Sequence, residues 1–221
     1  MITQITPICF AISNVFSNQY LLCCGGSWIL VDAGLHAFRK SLIDQVLELI
    51  PPSESLSAIL ITHSDADHCG GASYIREATG AIILADEIEA LAMRKGQVSR
   101  KLTPGWYEKP FYFASSFLFS FAPLQVDAVL KQGLKIKEVP GLMVIHTPGH
   151  TPGHISCFWE NEKILFAGDS IRKDSHGKPA PSSGANTWNK SRALRSFSRQ
   201  MDLHPQVIAC GHAMLDFREK V

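Results

Sequence analysis

Four apolar, strand-like runs in this chain end directly in side chains that bind metal: Thr62-His63-Ser64-Asp65-Ala66-Asp67-His68, Pro148-Gly149-His150, Ala167-Gly168-Asp169 and Cys210-Gly211-His212. Strand ends of a rigid sheet bring ligands that are distant in sequence within a few ångströms of one another, as a metal centre requires. The pattern therefore asks for sheets whose strand ends share one rim. Glycine precedes the ligand in three of the four segments, at Gly149, Gly168 and Gly211, where positive φ or a missing side chain lets the chain turn sharply beside an ion. A single Gly-His pair reads as an ordinary turn. Four such segments, one with two His and two Asp within six residues, read as a site.

Imidazole and carboxylate are ligands of Zn²⁺, Mn²⁺ or Fe, in sites that do chemistry. The six cysteines, Cys9, Cys23, Cys24, Cys69, Cys157 and Cys210, show no CxxC spacing and no framework regularity, which argues against a structural thiolate zinc and against a disulfide scaffold. They read as reduced thiols, with Cys157 and Cys210 in apolar core runs and Cys69 beside the histidine cluster. The 221 residues fit one domain spanning 1–221. A formal net charge of +1 gives no electrostatic reason to expect nucleic acid or an anionic membrane surface, so the expected partner is a small-molecule substrate. The N-terminus has no signal-peptide pattern, and the longest apolar runs fall far short of the roughly 20 residues that cross a bilayer. A cytoplasmic location is expected; oligomeric state is left open.

Strand-like stretches are expected at 5–12, 19–24 and 28–32, with Gly25-Gly26 turning a hairpin. Leu42, Val46, Leu49 and Ile50 recur at helical spacing between Phe38 and Ile50, and Pro51-Pro52 ends that helix. Ser57 to Thr62 reads as a strand buried on both faces. Gly70 to Thr79 reads as a helix stopped by Gly80, then Ala81 to Ala85 as a strand, and Asp86 with Glu89 as a capping box opening a short helix. Residues 96–123 lack clean periodicity and are expected to form an insertion or lid. Strands follow at 136–139, 142–146, 155–159, 163–167 and 206–210. The helix between the last two, 187–201, carries Trp188, Ala193, Leu194, Phe197 and Met201 on one face. This order suggests a sheet sandwich covered by helices.

The Thr62 to His68 segment resembles the T-H-x-H-x-D-H signature of the metallo-β-lactamase superfamily. Asn14 to Asp32 with Ala33-Gly34, and His146-Thr147-Pro148-Gly149-His150-Thr151-Pro152-Gly153-His154, are similar to that family too. The resemblance implies an α/β, four-layer αββα sandwich with two divalent metal ions, zinc first, at one edge of the sheets. Site one would use His63, Asp65 and His150; site two Asp67, His68 and His212; Asp169 would bridge. Asp32 would be a structural neighbour and His146 and His154 would support the ligands, while His36, His176 and His204 read as surface residues.

Asp65 stands where the family has its second histidine. If it ligates, three carboxylates face two ions instead of two, which predicts a weaker Lewis acid and a shift toward Mn²⁺ or Fe. If it is too short to reach, site one is weak. The implied activity is hydrolysis of an ester-like bond, in a thioester, lactone or related small molecule, by a metal-activated hydroxide that Asp67 orients. The alternatives are an iron-dependent oxidoreductase on the same scaffold and a non-catalytic metabolite-binding relative.

Overall fold

Successive side chains of a strand point to opposite faces, so the continuous apolar runs Ile155–Trp159 and Ile164–Gly168 bury both faces of their sheet and call for layers on either side. The structure, a computed structural model, describes residues 1–100 and 119–218. Among them a seven-stranded sheet runs in sequence order: β1 (Ile2–Thr6), β2 (Cys9–Ser13), β3 (Asn18–Cys24), β4 (Ser27–Val31), β5 (Ser55–Leu60), β6 (Ile82–Ala85) and β7 (Ala128–Val129). β1 to β4 pair antiparallel and β4 to β7 parallel. Parallel neighbours need a crossover. The helix α1 (Arg39–Leu49) supplies it between β4 and β5; the single turn α2 (Ala66–Cys69) and α3 (Ala72–Thr79) supply it between β5 and β6. A short helix α4 (Glu87–Met93) follows.

The second sheet uses β8 (Leu142–His146), β9 (Ile155–Trp159), β10 (Ile164–Gly168), β13 (Val207–Cys210) and β14 (Met214–Asp216), in the order β14-β13-β10-β9-β8. A small hairpin, β11 (Ile171–Lys173) with β12 (Pro179–Pro181), leaves the end of β10, and α5 (Lys190–Met201) leads into β13. Leu22, Ile29, Val31, Ala58 and Leu60 of the first sheet meet Val144, Cys157, Trp159, Phe166 and Val207 of the second in the central core. The alternate residues Leu21, Leu30, Ile59 and Ile83 face outward onto Leu42, Ile43 and Val46 of α1 and Ile75 of α3. On the far side Phe158, Leu165 and Ile208 carry Phe197 and Met201 of α5. Helices, sheet, sheet and helix form the expected αββα order. Each fully buried Leu, Ile or Val contributes about 1.5–3 kcal/mol, so the three seams together hold the layers.

Several local expectations are corrected. The strand expected over 5–12 is two strands, because Pro7 ends one and Cys9 starts the next. Residues 136–139 are a turn, closed by Val139 N–H donating to Ile136 O at 3.3 Å; Ile136 and Val139 are buried from a turn that dips into the core. The helix expected over 187–201 begins at Lys190, which leaves Trp188 ahead of it and 42% exposed; Ala193, Phe197 and Met201 face inward as expected, joined by Ser196 and Gln200, whereas Leu194 is 55% exposed. Two core polar groups, Ser156 and Ser170, donate to Gln200 and bring this polar residue onto the buried face. The expected lid over 96–123 falls mostly on residues 101–118, which lie outside the described residues.

Candidate metal centre

β10 and β13 run parallel, so Asp169 and His212 leave the same rim of the second sheet, and Gly211 N–H donates to Gly168 O at 2.9 Å to hold the two exits together. β5 delivers the His63 to His68 loop from the first sheet to that rim. Ile155 N–H donates to Thr62 O at 3.0 Å, tying the sheets together at the site. Two of the preceding glycines answer to different needs. Gly168 has φ +50°, and a Cβ at Gly211 would lie 2.2 Å from Asp169 Oδ1 and 2.5 Å from His68 Cε1.

The seven expected residues converge. His63 with Asp65 and His150, Asp67 with His68 and His212, and His63 with His68 and Asp169 each offer three donor atoms within 4.8 Å of one another. Asp169 lies between the first two groups: Oδ2 is 3.6 Å from His150 Nε2 and 3.1 Å from His212 Nε2, and Oδ1 is 3.5 Å from His68 Nε2. Asp65 spans the gap that a longer side chain would have crossed, its Oδ2 lying 3.1 Å from His150 Nε2 and 3.5 Å from His63 Nε2. Asp67 Oδ2 is 3.6 Å from His212 Nε2 and 3.8 Å from His68 Nε2. Cys69 is buried and its thiol turns to Ser64 O, away from these groups.

Every ring in the cluster is oriented by its other nitrogen. His68 Nδ1 sits 2.8 Å from Asp32 Oδ2 and His212 Nδ1 sits 2.6 Å from Phe16 O; both partners only accept, so both Nδ1 atoms carry the proton. The Thr62 hydroxyl donates to Asp32 and so accepts from His63 Nδ1, 3.0 Å away. His150 Nδ1 is 3.1 Å from Ser182 Oγ. All four Nε2 atoms therefore face inward, the outer bonding that fixes metal-binding imidazoles. The Nε2 atoms of His63 and His68 and Oδ1 of Asp169 are buried without a hydrogen-bond partner among the described residues. Each such orphan costs about 1–3 kcal/mol, and divalent ions with nitrogen and oxygen ligands are what would satisfy them.

His146 and His154 stay outside this set. His154 Nε2 accepts from Asp169 N–H at 3.1 Å while its Nδ1 lies 2.8 Å from Thr147 Oγ1, so it aims Asp169. His146 Nε2 lies 3.2 Å from Asp86 Oδ2. His36, His176 and His204 are exposed, as expected.

Two residues escaped the sequence reading. Arg100 is 6% exposed and grips Asp65 with both arms, Nη1 to Oδ1 at 2.6 Å and Nη2 to Oδ2 at 2.7 Å. The available signal was electrostatic: a third carboxylate in a buried cluster asks for a cation. Glu89 was expected to reach back to the start of α4. Asp86 does cap that helix through Ile88 N–H, but Glu89 is fully buried and turned to the site. It accepts from Ser64 N–H, the Ser99 and Thr151 hydroxyls and Gly153 N–H, at 2.7–2.9 Å. One carboxylate thus fastens the Asp65 loop, the Arg100 segment and the His150 loop.

Without an ion the cluster is strongly polarised. Burial opposes ionisation of Asp65, yet His63, His150 and Arg100 outweigh it and hold the carboxyl well below its usual range. Asp169 is likewise held low by His68, His212 and His150 against burial. Burial works against a charged His68, but Asp32, Asp169 and Asp67 push it well above 6.5. Burial, then His63 and His150, keep His154 neutral.

The sequence model of the metallo-beta-lactamase superfamily matches residues 12–212. The chain belongs to the metallo-beta-lactamase superfamily. Within that superfamily it is 26% identical over 217 residues to a probable metallo-hydrolase of Bacillus subtilis, covering 85% of this chain and 76% of that one. It is 28% identical over 160 residues to a hydroxyacylglutathione hydrolase of Rhodopseudomonas palustris, covering 72% of this chain and 49% of the relative, about half its length. A metallo-beta-lactamase family protein of Thermus thermophilus superposes with a TM-score of 0.68 at 27% identity, over 96% of this chain and 76% of that one. A metallo-beta-lactamase of Cronobacter sakazakii shares the fold with a TM-score of 0.71 at 22% identity, over 96% and 77% of the two chains. The family chemistry is metal-dependent hydrolysis, in keeping with the His and Asp groups at the rim.

Proposed function

We propose that this protein is a two-metal hydrolase of a small thioester with an anionic leaving thiol. The observation that carries the reading is the set of inward Nε2 atoms and carboxylates forming two three-donor groups with Asp169 between them. His63, Asp65 and His150 would hold one ion and Asp67, His68 and His212 the other, with Asp169 shared. When bound, the ions would supply Lewis acidity and an acidified water. Asp67 presents Oδ2 beside His68 and His212, at 3.8 and 3.6 Å from their Nε2 atoms, where it would orient the attacking water, accept its proton and pass that proton to the departing sulfur. His212, its side chain 49% exposed, marks the open side, where substrate enters.

A cleft of about 320 Å³ opens over His150, Asp169 and His212, and Arg172 and Lys173 of β11 line its wall. Two cations there favour an anionic thiol over a neutral ester, and the hydroxyacylglutathione hydrolases among the relatives act on a thioester of that kind. Protein loaded with Zn²⁺, Mn²⁺ or Fe²⁺ should be assayed against acyl-glutathione and acyl-coenzyme A thioesters, lactones, a β-lactam and phosphodiesters. Thioester cleavage should give the highest kcat/KM and be abolished by a chelator. Arg172→Ala with Lys173→Ala should raise KM for the anionic thioester about tenfold at constant kcat. A preference for lactones or phosphodiesters, or failure of the wild type to take up metal, overturns the reading.

A further inference from the structure

The electrical balance of the centre changes once Arg100 is counted. Three carboxylates against two divalent ions leave one positive charge, where the family's usual two leave two. A guanidinium stays protonated at any working pH, and this one is buried against the extra carboxylate. It returns the missing charge. Its geometry also restricts what Asp65 can offer: Nη1 holds Oδ1 at 2.6 Å and Nη2 holds Oδ2 at 2.7 Å, and of the two oxygens only Oδ2, through its second lone pair, faces His63 and His150. The preceding residue is anchored to the site, since Ser99 N–H donates to Ser64 Oγ at 2.8 Å and the Ser99 hydroxyl donates to Glu89 at 2.7 Å.

Building on the two-ion reading above, we propose that Arg100 is a positioning residue that makes Asp65 a neutral, one-oxygen ligand, so that the pair stands in for a single imidazole. The shift toward harder ions that Asp65 alone predicts is thereby cancelled. Arg100 touches no substrate; it acts through Asp65.

The test uses full-length wild type, Arg100→Gln, Asp65→His and the double variant Asp65→His with Arg100→Gln, each stripped and reloaded. Competitive equilibrium dialysis reads the Zn²⁺-to-Mn²⁺ preference, and the visible spectrum of the Co²⁺-substituted protein reads coordination number. In Arg100→Gln the preference for Zn²⁺ should fall about tenfold. The Co²⁺ band should weaken as the freed Asp65 oxygen joins the ion. Asp65→His should bind metal more weakly than wild type, because an unpaired guanidinium then repels the ion, and removing Arg100 as well should restore both readouts. If Arg100→Gln fails to fold, the comparison of Asp65→His with the double variant decides. An Arg100→Gln protein with wild-type metal preference and spectrum, or a double variant no better than Asp65→His, overturns the proposal while leaving the two-ion reading intact. A wild type that takes up no pair of ions overturns that reading first, and this inference with it.

Discussion

Glu89 shows how much one side chain can carry when it is buried among donors. Its two oxygens meet four N–H or O–H groups from three separate segments. Glu89→Gln turns an amide NH₂ toward one of those donors, and should lower stability by about 1–3 kcal/mol, read from denaturant midpoints at unchanged m-value. Metal affinity should fall with it, since the loops of Asp65 and His150 lose their common anchor. His154 adds a pH dependence. Its folded pKa lies well below the ordinary 6.5 through burial and the neighbouring His63 and His150. Between the folded value and 6.5 the unfolded chain binds the extra proton, so this contribution is complete above 6.5 and declines as pH falls through that window. In His154→Gln the group is absent. The stability gap between wild type and variant, measured on metal-free protein, should therefore narrow on going from about pH 7.5 to about pH 5.5; a constant or widening gap contradicts the assignment.

Among the elements, α5 shows why helix faces are harder to read than helix existence. Its existence and its end at Met201 were legible because Ala193, Phe197 and Met201 recur at helical spacing, whereas its start lies three residues later than expected, at Lys190. The polar residues on its buried face were not legible, because Ser196 donates to Pro148 O and Gln200 is held by Ser156 and Ser170, partners that belong to the second sheet. The helix starts at Asn189, whose side chain accepts from Arg192 N–H at 2.9 Å. Asn189→Ala should cost about 1 kcal/mol and Asn189→Ser a few tenths, measured by thermal or chemical unfolding. Asn189 N–H also donates to Gly149 O through the backbone, so the cap substitution tests the helix without removing its tie to the His150 loop. The strands β5, β9 and β10 were readable as continuous apolar runs because both their faces are covered. The two- and three-residue strands β7, β11, β12 and β14 were not, since so few residues carry no period.

For the whole molecule, the decisive feature is that the donor groups come from both sheets. His63, Asp65, Asp67 and His68 follow β5, whereas His150, Asp169 and His212 follow β8, β10 and β13. An ion held by groups from both layers clamps the sandwich at its rim, and its removal leaves buried orphans such as His63 Nε2 facing one another. Two ions, each present at about 100 times its dissociation constant, add about 5 kcal/mol. For a chain of this length that corresponds to a Tm higher by roughly 10–20 °C. Scanning calorimetry of metal-loaded and stripped protein measures the difference; equal Tm values show that no ions bind across the rim. Among the described residues no helix is long and apolar enough to cross a membrane.

The sequence by itself determined the layered architecture and the identity of the seven converging groups, because continuous apolar runs mark strands covered on both faces and strong ligands at strand ends are chemically conspicuous. Only the tertiary structure decided the electrostatic surroundings of Asp65. Arg100 lies 35 residues away and Glu89 sits on a helix whose local pattern explains it as a cap. Charge pairing and buried hydrogen bonding depend on distances through space, which leave no periodic trace along the chain.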